Sequence, residues 1–260
     1  MPDTPSSTEQ ALQAIADAVG DGRQRVESDL SDPAIPVAAT VVLLRNGGDG
    51  LEVLMIERPD RGSFAGAWVF PGGKLEPGDR EPPADASSAG SATEEADARR
   101  AAVRETFEET GLELAASALV TVSCWDPPPG LPLRIRTWFF VVAAPPAEEL
   151  RLQPGEAVAS EWLRPADALQ RHAQGEFTLY PPTWVTLYGL NDATDVEAVL
   201  ATTRLAATRS FETQVRRGPS GPVFYWREDA EYEGDRPDAA SGPRHRLEVG
   251  ASPWVYTYRQ

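Results

Sequence analysis

A single cysteine, Cys124, occurs in 260 residues, so no internal disulfide is available and the fold must be held by its core. One free thiol fits a reducing compartment, and the cytoplasm is the expected one. Lysine is as scarce: Lys74 stands against 23 arginines, most simply a compositional bias of the genome. The two histidines, His172 and His245, sit among polar neighbours and read as surface residues rather than ligands. No apolar run approaches the roughly 20 residues of a membrane span. The N-terminal stretch lacks the basic patch and apolar centre of a signal peptide, and there is no internal repeat. Positive charge is short overall, since 24 bases against 40 acids leave a net charge of −16. That deficit argues against a nucleic-acid or anionic-membrane partner. It also means that a phosphate-bearing substrate would need bound cations to offset the repulsion.

The length allows one sizeable core with extensions around it. The chemistry concentrates between Phe70 and Leu112. Arg104-Glu105-Thr106-Phe107-Glu108-Glu109-Thr110-Gly111-Leu112 places Glu105, Glu108 and Glu109 at i, i+3 and i+4, which puts three carboxylates on one helix face. Carboxylates that close repel unless a cation sits among them, and oxygen-only ligands suit a hard ion such as Mg²⁺ or Mn²⁺. The alternative is a solvated acidic helix face. Arg104, four residues before Glu108, is placed to orient that carboxylate, and Gly111 is a helix-terminating cap. Upstream, Gly72-Gly73 gives a turn without side chains where backbone and a polyanionic ligand can approach closely.

These residues resemble the Nudix box, G-x5-E-x7-R-E-U-x-E-E-x-G-U with U aliphatic, the signature of the Nudix hydrolases. Arg104 to Leu112 matches its second half, with Thr106 in place of the first aliphatic residue. Counted back without a gap, the glycine falls on Gly90 but the glutamate falls on Ala96. Gly73 followed by Asp79, within Phe-Pro-Gly-Gly-Lys-Leu-Glu-Pro-Gly-Asp, is the better opening. Residues 80 to 103 then number 24 where the motif has 7. The stretch from Arg80 to Ala96, rich in Pro, Ala, Ser and Gly, reads as a solvated loop inserted into a split box. A split box resembles the peroxisomal coenzyme A diphosphatases and their bacterial relatives. An additional motif of such enzymes is matched in part by Leu54, Arg58, Gly66 and Phe70-Pro71-Gly72-Gly73, with Ser63 where an arginine is expected.

Taken in order, residues 1–33 form a polar segment with Leu12, Ile15, Ala16 and Val19 spaced for one short amphipathic helix. Residues 34–205 form the catalytic domain, with the insertion at 80–96. Strands are expected over Pro36–Arg45 and Leu51–Arg58 about a turn at Asn46–Gly50, then over Leu119–Cys124 and Leu133–Ala143. Short helices are expected at Pro165–Arg171, Pro181–Leu190 and Asp192–Leu205. Residues 206–260 form a β-rich extension packed on the core or a dimer contact. Trp125, before the Pro127-Pro128-Pro129 loop, either stacks on a nucleobase or anchors the proline turn. Arg134 and Arg136 alternate along their strand as phosphate contacts or as ordinary exposed positions. Glu156 and Glu161 precede or accompany the Glu-Trp pair beside which many Nudix enzymes have a further metal-binding or catalytic glutamate.

The resemblance implies an α/β protein with the Nudix fold, an α/β/α sandwich around a mixed sheet, with a C-terminal helical and β-rich extension. It implies that Glu105, Glu108, Glu109 and the carbonyl of Gly73 hold one to three Mg²⁺ or Mn²⁺. One of these glutamates or Glu156 takes the proton of the attacking water, and Arg104 orients Glu108. Arg58, Arg134, Arg136 and Trp125 are the substrate-binding candidates. The implied substrate is a small nucleotide-type molecule, a nucleoside diphosphate linked to another moiety. Coenzyme A or an acyl derivative stands against ADP-ribose, a nucleotide sugar or a dinucleotide. A non-catalytic metabolite sensor is the alternative of another class, but such sensors lose the carboxylates retained here. The superfamily also admits a homodimer.

Overall fold

Val37 to Gly47 reads Val-Ala-Ala-Thr-Val-Val-Leu-Leu-Arg-Asn-Gly, a β-branched and aliphatic run suited to a central strand. The computed structural model describes residues 12, 15, 17, 25–30, 32–61, 64–81, 91–131, 134–146, 149–153, 155–234 and 241–260. One mixed sheet contains β1 (Val37–Gly47), β2 (Gly50–Glu57), β3 (Trp68–Val69), β4 (Gly72–Lys74), β5 (Val120–Asp126), β6 (Arg136–Ala143), β7 (Ala159–Leu163) and β8 (Arg209–Glu212). The strand order is β3-β2-β1-β6-β5-β8, with β4 also paired to β1 and β7 to β2. The pairs β1·β6 and β5·β8 are parallel; the others are antiparallel. Gly47 stands opposite Gly50, so the expected hairpin closes through Gly48 and Asp49.

Alternation along β1 sends Val41 and Leu43 to one face and Val42 and Leu44 to the other, and all four are fully buried. The first face is covered by α1 (Ser91–Thr110), through Ala98, Ala101 and Ala102. Three fully buried alanines, with Val103 packed beside them, line that contact, so the helix backbone can lie close to the sheet. The second face is covered by α2 (Pro165–Ala173), α3 (Pro181–Gly189) and α4 (Val196–Leu205), which contribute Ala168, Trp184, Leu187, Val199 and Leu200. This is the expected α/β/α sandwich. Burying each large aliphatic side chain stabilises it by roughly 1.5–3 kcal/mol.

The C-terminal residues add an antiparallel sheet of β9 (Gln214–Gly218), β10 (Gly221–Tyr225), β11 (Arg244–Glu248) and β12 (Val255–Arg259). Phe224, Trp226 and Leu247 join the same apolar cluster as Val42 and Leu187. β8, within the stretch expected as an extension, instead completes the central sheet. At the other end Leu12 and Ile15 are helical and Leu12 is buried, while Ala16 and Val19 lie outside the described residues.

The structure corrects two further expectations. Residues 91–96, read as loop, are the opening of α1. Alanine and glutamate are good helix formers, Glu94 complements the positive helix start, and its carboxylate is anchored by Trp138 Nε1 at 2.9 Å and Arg136 Nη1 at 3.0 Å. The remaining residues of the expected loop, 82–90, lie outside the described residues. The histidines are buried rather than superficial: His172 Nδ1 meets the Phe177 carbonyl at 3.0 Å, and His245 lies between Glu228 and the Tyr256 hydroxyl. Packing of the helix against Trp254 sets the burial of His172, and strand register sets that of His245; the neighbouring residue types set neither.

Candidate active site

β4 is made of Gly72, Gly73 and Lys74 because it passes between β1 and the C-terminal half of α1. Gly72 has φ +151°, and a Cβ there would meet the Ala39 carbonyl oxygen at 2.2 Å. A Cβ on Gly73 would lie 2.3 Å from the Glu105 carboxyl carbon. The second glycine therefore makes room for a carboxylate set directly against the backbone. Gly72 N–H donates to Glu109 Oε2 at 2.7 Å. The helix and the glycine strand form one site.

Arg104 ties the two halves of the motif together. Its Nε donates to Asp79 Oδ1 at 3.1 Å and its Nη2 to Asp79 Oδ2 at 2.7 Å, a bidentate pair. Nη1 reaches Glu105 at 3.0 Å and Glu108 at 2.9 Å, and Nη2 also donates to the Lys74 carbonyl. The expected contact with Glu108 is present, but it is one of four partners. Asp79 sits at the end of a 3₁₀ turn, Pro77–Asp79, where its carboxylate also accepts from Glu76 N–H at 2.8 Å. Burial pushes the Asp79 carboxyl up, yet the bonds from Arg104 and the Glu76 amide and the charges of Arg104 and Arg100 outweigh it and hold it below the ordinary range.

Thr106, which replaces an aliphatic residue of the motif, is fully buried. Its hydroxyl donates to the Ala102 carbonyl at 2.7 Å, so the polar group is satisfied inside the helix.

Glu109 is 3% exposed. Burial, followed by repulsion from Glu105 and Glu156, pushes its carboxyl up to about 7 against the pull of the Gly72 amide and Arg58. Glu105 is also raised, first by burial and further by Glu108 and Glu156, with Arg104 opposing. Glu108 is half-exposed and Glu156 is exposed. Two backbone ties dock the segment leading to Glu156 on the end of α1: Arg151 N–H to the Thr110 carbonyl, 2.8 Å, and Gln153 N–H to the Glu109 carbonyl, 3.3 Å. On the other side Arg61 donates to the Gly155 carbonyl at 3.2 Å. Arg58, acting on Glu109 from the end of β2, has a buried Nε with no hydrogen-bond partner among the described residues.

The structure brings together Gly73, Arg104, Glu105, Glu108, Glu109, Glu156 and Arg58. It places four other candidates elsewhere. Trp125 is 4% exposed and stacks on Phe211 with ring centroids 3.8 Å apart, so neither ring face is open to a base. Arg136 is buried and held by Asp126, Glu94 and the Leu30 carbonyl, a structural clamp rather than a phosphate contact. Arg134 lies outside the strand, with Asp29 at 4.0 Å. Glu161 is paired with Arg171 at 2.7 Å. Sequence reading missed an aromatic pair beside the Arg58–Arg61 loop: Phe64, 43% exposed at φ +60°, packs edge-on against Tyr180 at 4.7 Å. A lone phenylalanine in a glycine-rich loop carries no signal of its backbone conformation.

Among the described residues no three carboxylate, thiol or imidazole groups are already gathered into a coordination cluster. The donor chemistry nevertheless fits a hard divalent ion: oxygen-only groups, mutual repulsion among Glu105, Glu109 and Glu156, and a glycine backbone against which Glu105 lies.

The fold and the paired glutamates agree with a pyrophosphohydrolase, the class that the family match supports. Residues 34–182 match the family model described as the NUDIX domain, and the chain belongs to the Nudix family. A Nudix hydrolase from Alicyclobacillus acidocaldarius is similar at 25% identity and TM-score 0.56, over 66% of this chain and 98% of that one. A MutT Nudix hydrolase from Burkholderia pseudomallei is similar at 21% identity and TM-score 0.41, over 59% and 95% respectively. No curated protein matches the chain. Among the described residues no helix is long and apolar enough to cross a membrane.

Proposed function

We propose that the protein hydrolyses the diphosphate bond of a nucleoside diphosphate linked to another moiety, with Mg²⁺ or Mn²⁺ held by Glu105, Glu108, Glu109 and the carbonyl of Gly73. The observation that carries this reading is the convergence of carboxylates at the glycine strand: Glu105 lies against Gly73, Glu109 accepts from the Gly72 amide, and Glu156 is close enough to raise the proton affinity of both. Bound there, divalent ions neutralise the diphosphate oxygens and make a bound water a stronger nucleophile at neutral pH. Glu109 is fixed by the Gly72 amide and Glu105 by Arg104, so both present oriented oxygens. Glu156 has no side-chain hydrogen bond among the described residues, and we assign it the proton of the attacking water. Arg58, with its unpartnered Nε beside Glu109, supplies a donor for a phosphate oxygen.

The motif split between Asp79 and Arg104 favours coenzyme A or an acyl-coenzyme A as the substrate, with adenosine 3′,5′-bisphosphate and a phosphopantetheine as products. Product identification by mass spectrometry tests this, using coenzyme A, acetyl-coenzyme A, ADP-ribose, NADH and a UDP-sugar with either metal. Cleavage of the first pair alone is expected. Cleavage restricted to the others would retain the chemistry and reject coenzyme A, and cleavage of none would reject the hydrolytic reading for these substrates.

A further inference from the structure

A second group of cations lies where the N-terminal segment meets the C-terminal residues. A cavity of about 310 Å³ is lined there by Arg25, Val26, Leu30, Arg227 and Tyr232. Arg25 is fixed by one nitrogen only: Nη2 donates to the carbonyls of Asp126, Pro127 and Thr213 at 3.3, 2.7 and 3.1 Å. Its Nε and Nη1 are buried and have no partner among the described residues. The hydroxyl of Tyr232, a residue 8% exposed, is likewise buried; it faces the Arg25 guanidinium and has no acceptor at hydrogen-bond distance among the described residues. Arg134 repeats the pattern, with a buried Nε and Nη2 that have no partner among the described residues.

Buried donors without acceptors are rare because each forfeits its hydration. Here they recur on neighbouring donors, Arg25, Arg134 and Tyr232, with Asp29, Asp32, Asp126 and Glu212 around them. Burial and then the like charge of Arg25 push Arg134 down, which places the two guanidinium groups within reach of each other. Burial pushes the Tyr232 phenol up, so it stays protonated and able to donate. Arg227 adds a further cation at the mouth, where Glu212 holds it. Nearby acids are already engaged: Asp126 by Arg136, and Asp29 by the Val26 amide. In a chain of net charge −16, the unused donors of Arg25, Arg134 and Tyr232 are what a bound anion requires, with the paired Arg227 adding positive charge beside them.

We propose that this cavity is a binding site for a phosphate group, held by Arg25 Nε and Nη1, the Tyr232 hydroxyl and Arg227, and separate from the carboxylate site on α1. The volume exceeds the roughly 30 Å³ share of one water several-fold, and Val26 and Leu30 offer an apolar wall to the organic part of a phosphomonoester.

Isothermal titration calorimetry of the full chain in EDTA, with inorganic phosphate and with glycerol phosphate as probes, tests the site while metal-dependent binding is shut off. Saturable binding of at least one probe is expected. Tyr232→Phe, which keeps the ring, should weaken it about tenfold, the cost of one hydrogen bond to a charged group. Arg25→Met and Arg227→Gln should weaken it further, with thermal melts reporting whether Arg25→Met still folds. Binding of glycerol phosphate in preference to phosphate assigns the site to a phosphomonoester, and the reverse to free phosphate. No binding of either probe by the wild type, or equal binding by wild type, Tyr232→Phe and Arg227→Gln, overturns the proposal.

Discussion

Arg104 and Asp79, 25 residues apart in sequence, form a two-point pair of 2.7 and 3.1 Å at the junction between the glycine strand and α1. The same guanidinium reaches Glu105 and Glu108, so the position of both carboxylates depends on the pair that holds Arg104. Asp79→Ala should therefore cost about 3 kcal/mol of stability, as expected when one partner of a buried pair is removed. Arg104→Lys keeps the charge but cannot form the fork. It should lower kcat/KM by about tenfold or more, with a small change in melting temperature. Calorimetric melts and steady-state kinetics on the two variants check both outcomes.

Gly72 and Gly73 should respond differently to alanine. At Gly72 the added methyl meets backbone and the φ of +151° is unfavourable, so Gly72→Ala should destabilise the fold. At Gly73 it meets only the carboxyl end of Glu105, which can swing away. Gly73→Ala should leave the melting temperature nearly unchanged while activity falls about a hundredfold, as when an oriented electrostatic group is lost.

Metal-free stability should show the titration of Glu109. Its carboxyl sits at about 7 in the folded chain against an ordinary 4.5. The folded protein thus binds the extra proton between those values. This group's contribution is complete below the lower value and lost as pH rises through the higher one, a loss of up to about 3 kcal/mol. Glu109→Gln imitates the protonated form. In EDTA it should melt above the wild type at pH 8 and close to it at pH 4, and an unchanged difference between the two pH values would contradict the raised carboxyl.

Trp125→Ala should act on stability rather than on substrate binding. The ring packs on Phe211, Phe139 and Trp226, and its removal should cost about 3–5 kcal/mol. Denaturant melts measure this loss, and a change confined to KM would restore the base-stacking role.

The carboxylate helix was legible because i, i+3, i+4 spacing is a local property, and Arg104 and Glu108 meet as that spacing requires. The strands of the central hairpin were legible for the same reason. Trp125 and Arg136 were not, because their partners come from afar: Phe211 and Trp226 for the ring, Glu94 and Leu30 for the guanidinium. Glu94 itself was hidden by the Pro, Ser and Gly residues just before it, which made the opening turns of α1 read as loop. Asp79 was found by its spacing from Gly73, but nothing local indicates that it, rather than Glu108, is the two-point partner of Arg104.

The most direct test compares hydrolysis of the cleaved substrate by wild type and Glu109→Gln, with Mg²⁺ or Mn²⁺ and again in EDTA, alongside circular dichroism of both proteins. Metal-dependent turnover by the wild type, abolished by chelation and by the substitution in a folded protein, is the predicted result. Turnover that survives either EDTA or Glu109→Gln would contradict the assignment of these carboxylates as the metal-holding machinery.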